Sequence, residues 1–150
     1  MITITTGDLL QAQVEAIVNA VNTHGTMSKG LALAFKKAYP QMFHDYHVAA
    51  QAGRVTLGKM WVWTNPTDTN PRLIINFPTK GHWRSRSRIE DIQSGLEDLR
   101  QVITDRAITS IALPALGCGL GGLDWEEVSP LIISALEDLP DIEVMLYSPQ

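Results

Sequence analysis

The residues from Leu73 to Arg88, Leu-Ile-Ile-Asn-Phe-Pro-Thr-Lys-Gly-His-Trp-Arg-Ser-Arg-Ser-Arg, restrict the fold of this chain more than any other stretch. Leu73-Ile74-Ile75 is apolar at consecutive positions, so as a strand it has both faces to bury. Strands of that kind belong to sheets covered by helices on both sides. Polar Asn76 is expected to end the run, and Pro78, with no N–H to donate, to stop further ladder pairing. The chain then leaves the strand with Lys80 at its mouth, followed by His82, Trp83, Arg84, Arg86 and Arg88. In an open α/β sheet, ligands bind in the crevice beyond the carboxyl ends of the strands. One passage thus holds a core strand, a candidate catalytic amine and a cationic aromatic loop.

The remaining pattern agrees with such a sheet. Met1–Thr6 alternates and is β-branched, and Ala16–Asn22 is a second buried strand ending in asparagine. Met60–Thr64, Thr109–Leu113 and Ile142–Tyr147 read as further strands. Between them, helices are predicted over Ser28–Ala38, Gln41–Ala52, Arg88 to about Arg106, and from Leu123 or Asp124 onward, each with apolar residues at helical spacing. Ser87-Arg-Ile-Glu90 has the form of a capping box for the third helix. Asp8 is placed to cap a short turn through Leu9–Gln13. Strands alternating with helices predict a single three-layer α/β/α domain over residues 1–150, around a central sheet.

Composition removes several function classes. The net charge is −4, so there is no global nucleic-acid signature, yet four of the 12 lysines and arginines fall between Lys80 and Arg88. Cys118 is the only cysteine, which excludes an intrachain disulfide. No apolar run approaches the ~20 residues that span a bilayer, and no signal peptide opens the chain. A cytoplasmic protein with no membrane association is expected.

Four constellations could carry chemistry. Ala115–Gly122 places four glycines in six residues between a strand and a helix, which suits close approach of backbone N–H groups to a diphosphate. The alternative is a tight turn. The loop is not a Walker sequence, and no histidine follows Cys118 in the relation a nucleophile would need. The Asn19…Asn22 strand end with Gly25–Gly30 offers an amide for a sugar hydroxyl pair and a second glycine loop at a helix start; equally, Asn22 could simply cap its loop. Lys80 at a strand mouth can lose hydration and with it proton affinity, giving a free amine able to act on an anomeric carbon; a solvated loop lysine is the alternative. Trp83 with Arg84 and Arg86 can stack a base and contact phosphates, as single-strand binders do, or can be an exposed loop with a partly buried tryptophan. His44 and His47 lack a carboxylate or thiol cluster beside them, so no metal is expected.

Taken together, Gly7-Asp8-Leu9, Ala16–Asn22, the loop to Gly30 and Gly117-Cys-Gly-Leu-Gly121 resemble the macrodomain family, an ADP-ribose-binding α/β module, across essentially the whole chain. Asn76-Phe-Pro-Thr-Lys80 with His82-Trp83 and Ser87-Arg-Ile-Glu-Asp91 is similar to the branch that contains terminal ADP-ribose glycohydrolases and the DNA-directed DarG antitoxins. That branch implies a central mixed sheet and no cofactor. It implies that Asp8 and Leu9 hold adenine and that Asn22 meets the distal ribose. The diphosphate would lie between Met27, Ser28, Lys29 and Gly30 on one side and Leu116, Gly117, Cys118, Gly119, Leu120 and Gly121 on the other. Lys80 would be catalytic, with His82, Trp83, Arg84 and Arg86 on the DNA. The implied substrate is single-stranded DNA ADP-ribosylated on thymidine by a DarT-like toxin, and ADP-ribose is the product. Gly121 stands where the protein-directed enzymes carry aspartate, which favours the DNA-directed branch. A toxin-binding region of such antitoxins is absent from these 150 residues. The rival readings are a non-catalytic ADP-ribose reader and a deacylase of ester-linked protein ADP-ribose or O-acetyl-ADP-ribose.

Overall fold

The computed structural model describes residues 1–149. Its sheet has six strands, β1 (Ile2–Thr5), β2 (Ala16–Asn22), β3 (Trp61–Thr64), β4 (Leu73–Lys80), β5 (Ser110–Leu113) and β6 (Glu143–Tyr147), in the order β1-β6-β5-β2-β4-β3. Only β3 runs antiparallel, against β4, so the sheet is mixed as expected. Helices α1 (Gly30–Ala38) and α2 (Pro40–Gln51) cover one face, and α3 (Ile89–Asp105) and α4 (Trp125–Leu136) the other.

The period of two along β2 decides which side chain enters which layer. Ala16 and Val18 join Leu73, Ile75, Phe77, Ile92, Leu96, Leu99 and Ile111 beneath α3 and α4. Ile17 and Val21 join Phe35, Met42, Tyr46 and Ile74 beneath α1 and α2. Asn19 and Asn76 face each other in register on that second side, fully buried, with Asn19 Nδ2 donating to Asn76 Oδ1 at 3.2 Å. Pairing the two amides across adjacent strands offsets part of the cost of burying them.

Two local expectations are corrected. Asn76 does not end β4 and Pro78 does not stop it: the strand continues to Lys80, with Val21 opposite Pro78 and Asn22 opposite Lys80. Pro78 is tolerated because β3 pairs with β4 only as far as Asn76, which leaves Pro78 on an open edge. The Ser87 capping box does not form. Arg88 occupies the N-cap position of α3 without a side-chain cap bond, and the Ser87 hydroxyl is buried without a protein partner. Ser87 is instead drawn towards the glycine loop, its N–H donating to Gly121 O at 3.0 Å. The Asp8 cap is present, accepting from Leu10 N at 3.0 Å, over a 3-10 turn confined to Leu9–Gln11. Asp124 stands at the N-cap of α4 but makes no side-chain cap bond.

Candidate functional site

A cavity of about 660 Å³ opens beyond the carboxyl ends of the parallel strands. Its walls come from the turn after β1, the β2–α1 and β4–α3 loops, the glycine loop after β5 and the residues that follow β6. The volume falls in the range of pockets that hold small-molecule ligands and cofactors.

Lys80 is set into this cavity by an irregularity in the sheet. Between Val21/Asn22 on β2 and Pro78/Lys80 on β4 the register skips Thr79, which is the extra residue of a bulge. Thr79 is buried, and its hydroxyl donates to Val21 O at 3.3 Å. Bulges of this kind re-aim the side chain that follows. Lys80 is half-buried, and its Nζ donates to Trp83 O at 3.1 Å. Burial first, and the nearby Lys29 ammonium second, hold its proton affinity below that of an ordinary lysine. The loss of hydration expected from the sequence is present, with a second cation reinforcing it.

Asn22 lines the cavity, and its amide also organises the loop that follows. Its Oδ1 accepts from the N–H groups of His24, Gly25 and Thr26 at 3.0, 2.9 and 3.3 Å. Its Nδ2 donates to Thr26 Oγ1 at 2.9 Å and Thr26 O at 3.1 Å. Tyr46, fully buried on α2, donates to Asn22 O at 2.6 Å, and burial raises its pKa strongly. The loop-capping role left open by the sequence is therefore real. The loop it caps delivers Met27, Ser28, Lys29 and Gly30 to the cavity wall. Gly30, Leu31 and Ala32 begin α1 there, with no acidic residue in the first turn and no side-chain cap at Lys29. The uncapped N–H groups of that turn suit an anion.

Gly117, Gly119, Leu120 and Gly121 line the opposite wall. Leu116 and Cys118 do not: Leu116 is fully buried in the core beneath α3 and α4, and Cys118 is half-buried beside it. Burial and then the Asp124 carboxylate push the Cys118 thiol up to about 11, consistent with a small packing residue rather than a nucleophile. Gly117 and Gly122 have φ of +75° and +80°, a conformation that glycine adopts without strain. Gly121 is held for a different reason. A Cβ there would lie 2.3 Å from Ser87 Oγ and 2.6 Å from Gly117 O.

Asp8 and Leu9 also line the cavity, together with Tyr147, Ser148 and Pro149. The sequence reading missed this last group, although β6 is parallel to β1 and β5 and its end had to reach the same crevice. At the Lys80 end, Trp83 lines the cavity and His82 stands behind it, ring centroids 5.3 Å apart. The Arg84 guanidinium lies 4.5 Å from the Trp83 ring. Arg86 lies against the glycine loop, Nη2 donating to Gly122 O at 3.4 Å. His47 Nδ1 contacts Gly25 O at 2.9 Å, and no cluster of metal-ligating side chains exists among the described residues.

Comparison with known proteins places this geometry. The sequence matches the Macro domain family over residues 18–132. It is 50% identical over 149 residues to a DNA ADP-ribosyl glycohydrolase of Mycobacterium tuberculosis, covering 99% of this chain and 42% of that protein. The chain thus spans about two fifths of the length of such curated relatives. The macrodomain of Mycobacterium tuberculosis DarG superposes with a TM-score of 0.98 at 50% identity, covering 100% of this chain and 99% of that one. Thermosipho africanus DarTG in complex with ADP-ribose gives 0.92 at 33% identity, over 99% of this chain and 41% of that one.

Proposed function

The chain belongs to the Macro domain family, and on that footing we propose that it is a DNA ADP-ribosyl glycohydrolase, removing ADP-ribose from thymidine in single-stranded DNA. It would serve as the enzymatic part of a cytoplasmic antitoxin opposing a DarT-like toxin. The observation that carries the reading is the Lys80 amine. It projects from a sheet bulge into a cavity whose two loop walls suit a diphosphate, and it is desolvated and faced by a second cation.

In this reading the adenine end lies at Asp8, Leu9 and Tyr147, and the diphosphate between the α1 N-terminus and Gly117–Gly121. The distal ribose then lies by Asn22 and Lys80. The net reaction breaks the bond between the anomeric carbon and the thymine nitrogen. Water supplies the hydroxyl to the carbon and a proton to the base. Lys80 can serve this as nucleophile or as base, and both roles need the neutral amine, which burial and the Lys29 ammonium make more accessible than in an ordinary lysine. The base itself leaves past Trp83, where Arg84 supplies a cation for the neighbouring phosphate.

The test is incubation with a single-stranded oligonucleotide ADP-ribosylated on thymidine, followed by mass, with Lys80→Ala beside it. Release of free ADP-ribose and intact DNA, lost in the variant while ADP-ribose still binds, supports the reading. Binding without release by the parent protein would identify a reader. Release from ester-linked protein substrates alone would identify a deacylase.

A further inference from the structure

The rim at the Lys80 end extends further than the cavity. Trp83 lines the cavity, His82 follows at 5.3 Å between ring centroids, and His24 follows His82 at 4.7 Å. Neither histidine belongs to the cavity lining. The three rings are therefore ordered outward from the site, and they come from two different loops. We infer that this row is the track along which a single nucleic-acid strand leaves the cavity, so that nucleotides on one side of the modified base, and not those on the other, add to recognition. His24 is thereby a binding residue. The inference rests on the proposed function for what occupies the cavity, while the track itself requires only a single strand.

The row is built to stay in place. Thr23 N donates to Lys80 O and Gly81 O at 3.0 and 3.2 Å, and Thr23 Oγ1 to Gly81 O at 3.0 Å, so the β2–α1 and β4–α3 loops are stitched together. Gln51 Nε2 donates to His24 O at 3.2 Å, anchoring the loop to α2. A surface already ordered loses little further freedom when a ligand settles on it. Its chemistry fits bases and phosphates together. Ring faces stack bases without regard to sequence, and Arg84 and Lys29 lie 4.5 and 5.8 Å from the Trp83 ring. His24 is exposed, so mutual packing of the rings does not account for its position. In a chain of net charge −4 this is a local cationic strip. An acidic peptide would use the cations and leave the ring faces unused.

The experiment uses ADP-ribosyl-thymidine oligonucleotides extended by about three nucleotides on the 5′ side only or on the 3′ side only, compared with the unextended nucleotide. One extension is expected to raise kcat/KM roughly five- to tenfold and the other to leave it flat. His24→Ala brings that advantage close to unity, and His24→Phe, which keeps a ring, retains it. Equal gains from both extensions, or an advantage that survives in His24→Ala, overturn the track. Affinity for an unmodified thymidine oligonucleotide is measured in parallel by fluorescence anisotropy. If no substrate turns over, yet this affinity falls in His24→Ala and holds in His24→Phe, the glycohydrolase reading fails and the track stands. If neither variant changes it, the track fails whatever the activity. Competition by polyglutamate as effective as by oligonucleotide overturns the nucleic-acid assignment.

Discussion

Gly95, in the middle of α3, is a position where two physical terms of opposite sign can be weighed. Replacing a mid-helix glycine with alanine stabilises a helix by about 1 kcal/mol. Here the new Cβ would lie 2.3 Å from Cζ and 2.4 Å from Cε1 of Phe77. That is more than 1 Å short of the roughly 3.5–4.0 Å optimum for carbon contacts. Phe77 is fully buried in the core beneath α3 and α4 and has no surface to retreat to. Overpacking of this severity costs towards the upper end of about 1–3 kcal/mol. The clash wins, and Gly95→Ala is destabilised by about 2 kcal/mol, a fall in Tm of about 4–8 °C for a domain of this size. Thermal and urea unfolding measure it. The same substitution in a Phe77→Leu background, where the ring is gone, should be neutral or stabilising, and the difference between backgrounds is the coupling energy. A Gly95→Ala protein as stable as the parent, or an equal loss in both backgrounds, refutes the reasoning.

Two further outcomes follow from the site. In the proposed reaction the neutral Lys80 amine is the active form, and its proton affinity is depressed, so kcat/KM should rise with pH along a limb whose midpoint lies below the ordinary 10.5; in Lys29→Gln, with that repulsion removed, the pH–rate profile should shift upward, and an unmoved limb denies Lys29 its share. Tyr46→Phe removes the donor to Asn22 O and Oδ1 and should cost about 1–2 kcal/mol in urea unfolding, together with weakened ADP-ribose binding as the 23–26 loop loosens; unchanged stability would deny the hydroxyl its structural role.

What the sequence disclosed follows the reach of its signals. Apolar runs and periodicity located all six strands and four helices, because burial on one face or both is written into consecutive residues. The position of Lys80 at the strand end, in the cavity wall, was legible because it follows such a run. What escaped depended on partners distant in the chain. Pro78 reads as a strand breaker until it is known that β3 pairs with β4 only as far as Asn76 and leaves that side of β4 open beyond it. Ser87 reads as a helix cap until Gly121, 34 residues away, is seen to occupy its N–H. His24 carried no signal, since a lone histidine in a glycine loop acquires meaning only when His82 is brought to 4.7 Å. The contact of Arg86 with Gly122 was equally hidden, because nothing local shows that the glycine loop lies beside it.

The fit between Ser87 and Gly121 also limits how this protein can change. Any side chain at position 121 meets the Ser87 hydroxyl at 2.3 Å and the Gly117 carbonyl at 2.6 Å. A carboxylate there cannot be acquired by one substitution in the present loop. It requires the Ser87 side chain to move aside and the Gly117 carbonyl to give way. A single substitution at position 121 thus disturbs the glycine loop that lines the cavity, and any side chain there has to be accommodated by a change at Ser87, 34 residues away in the chain.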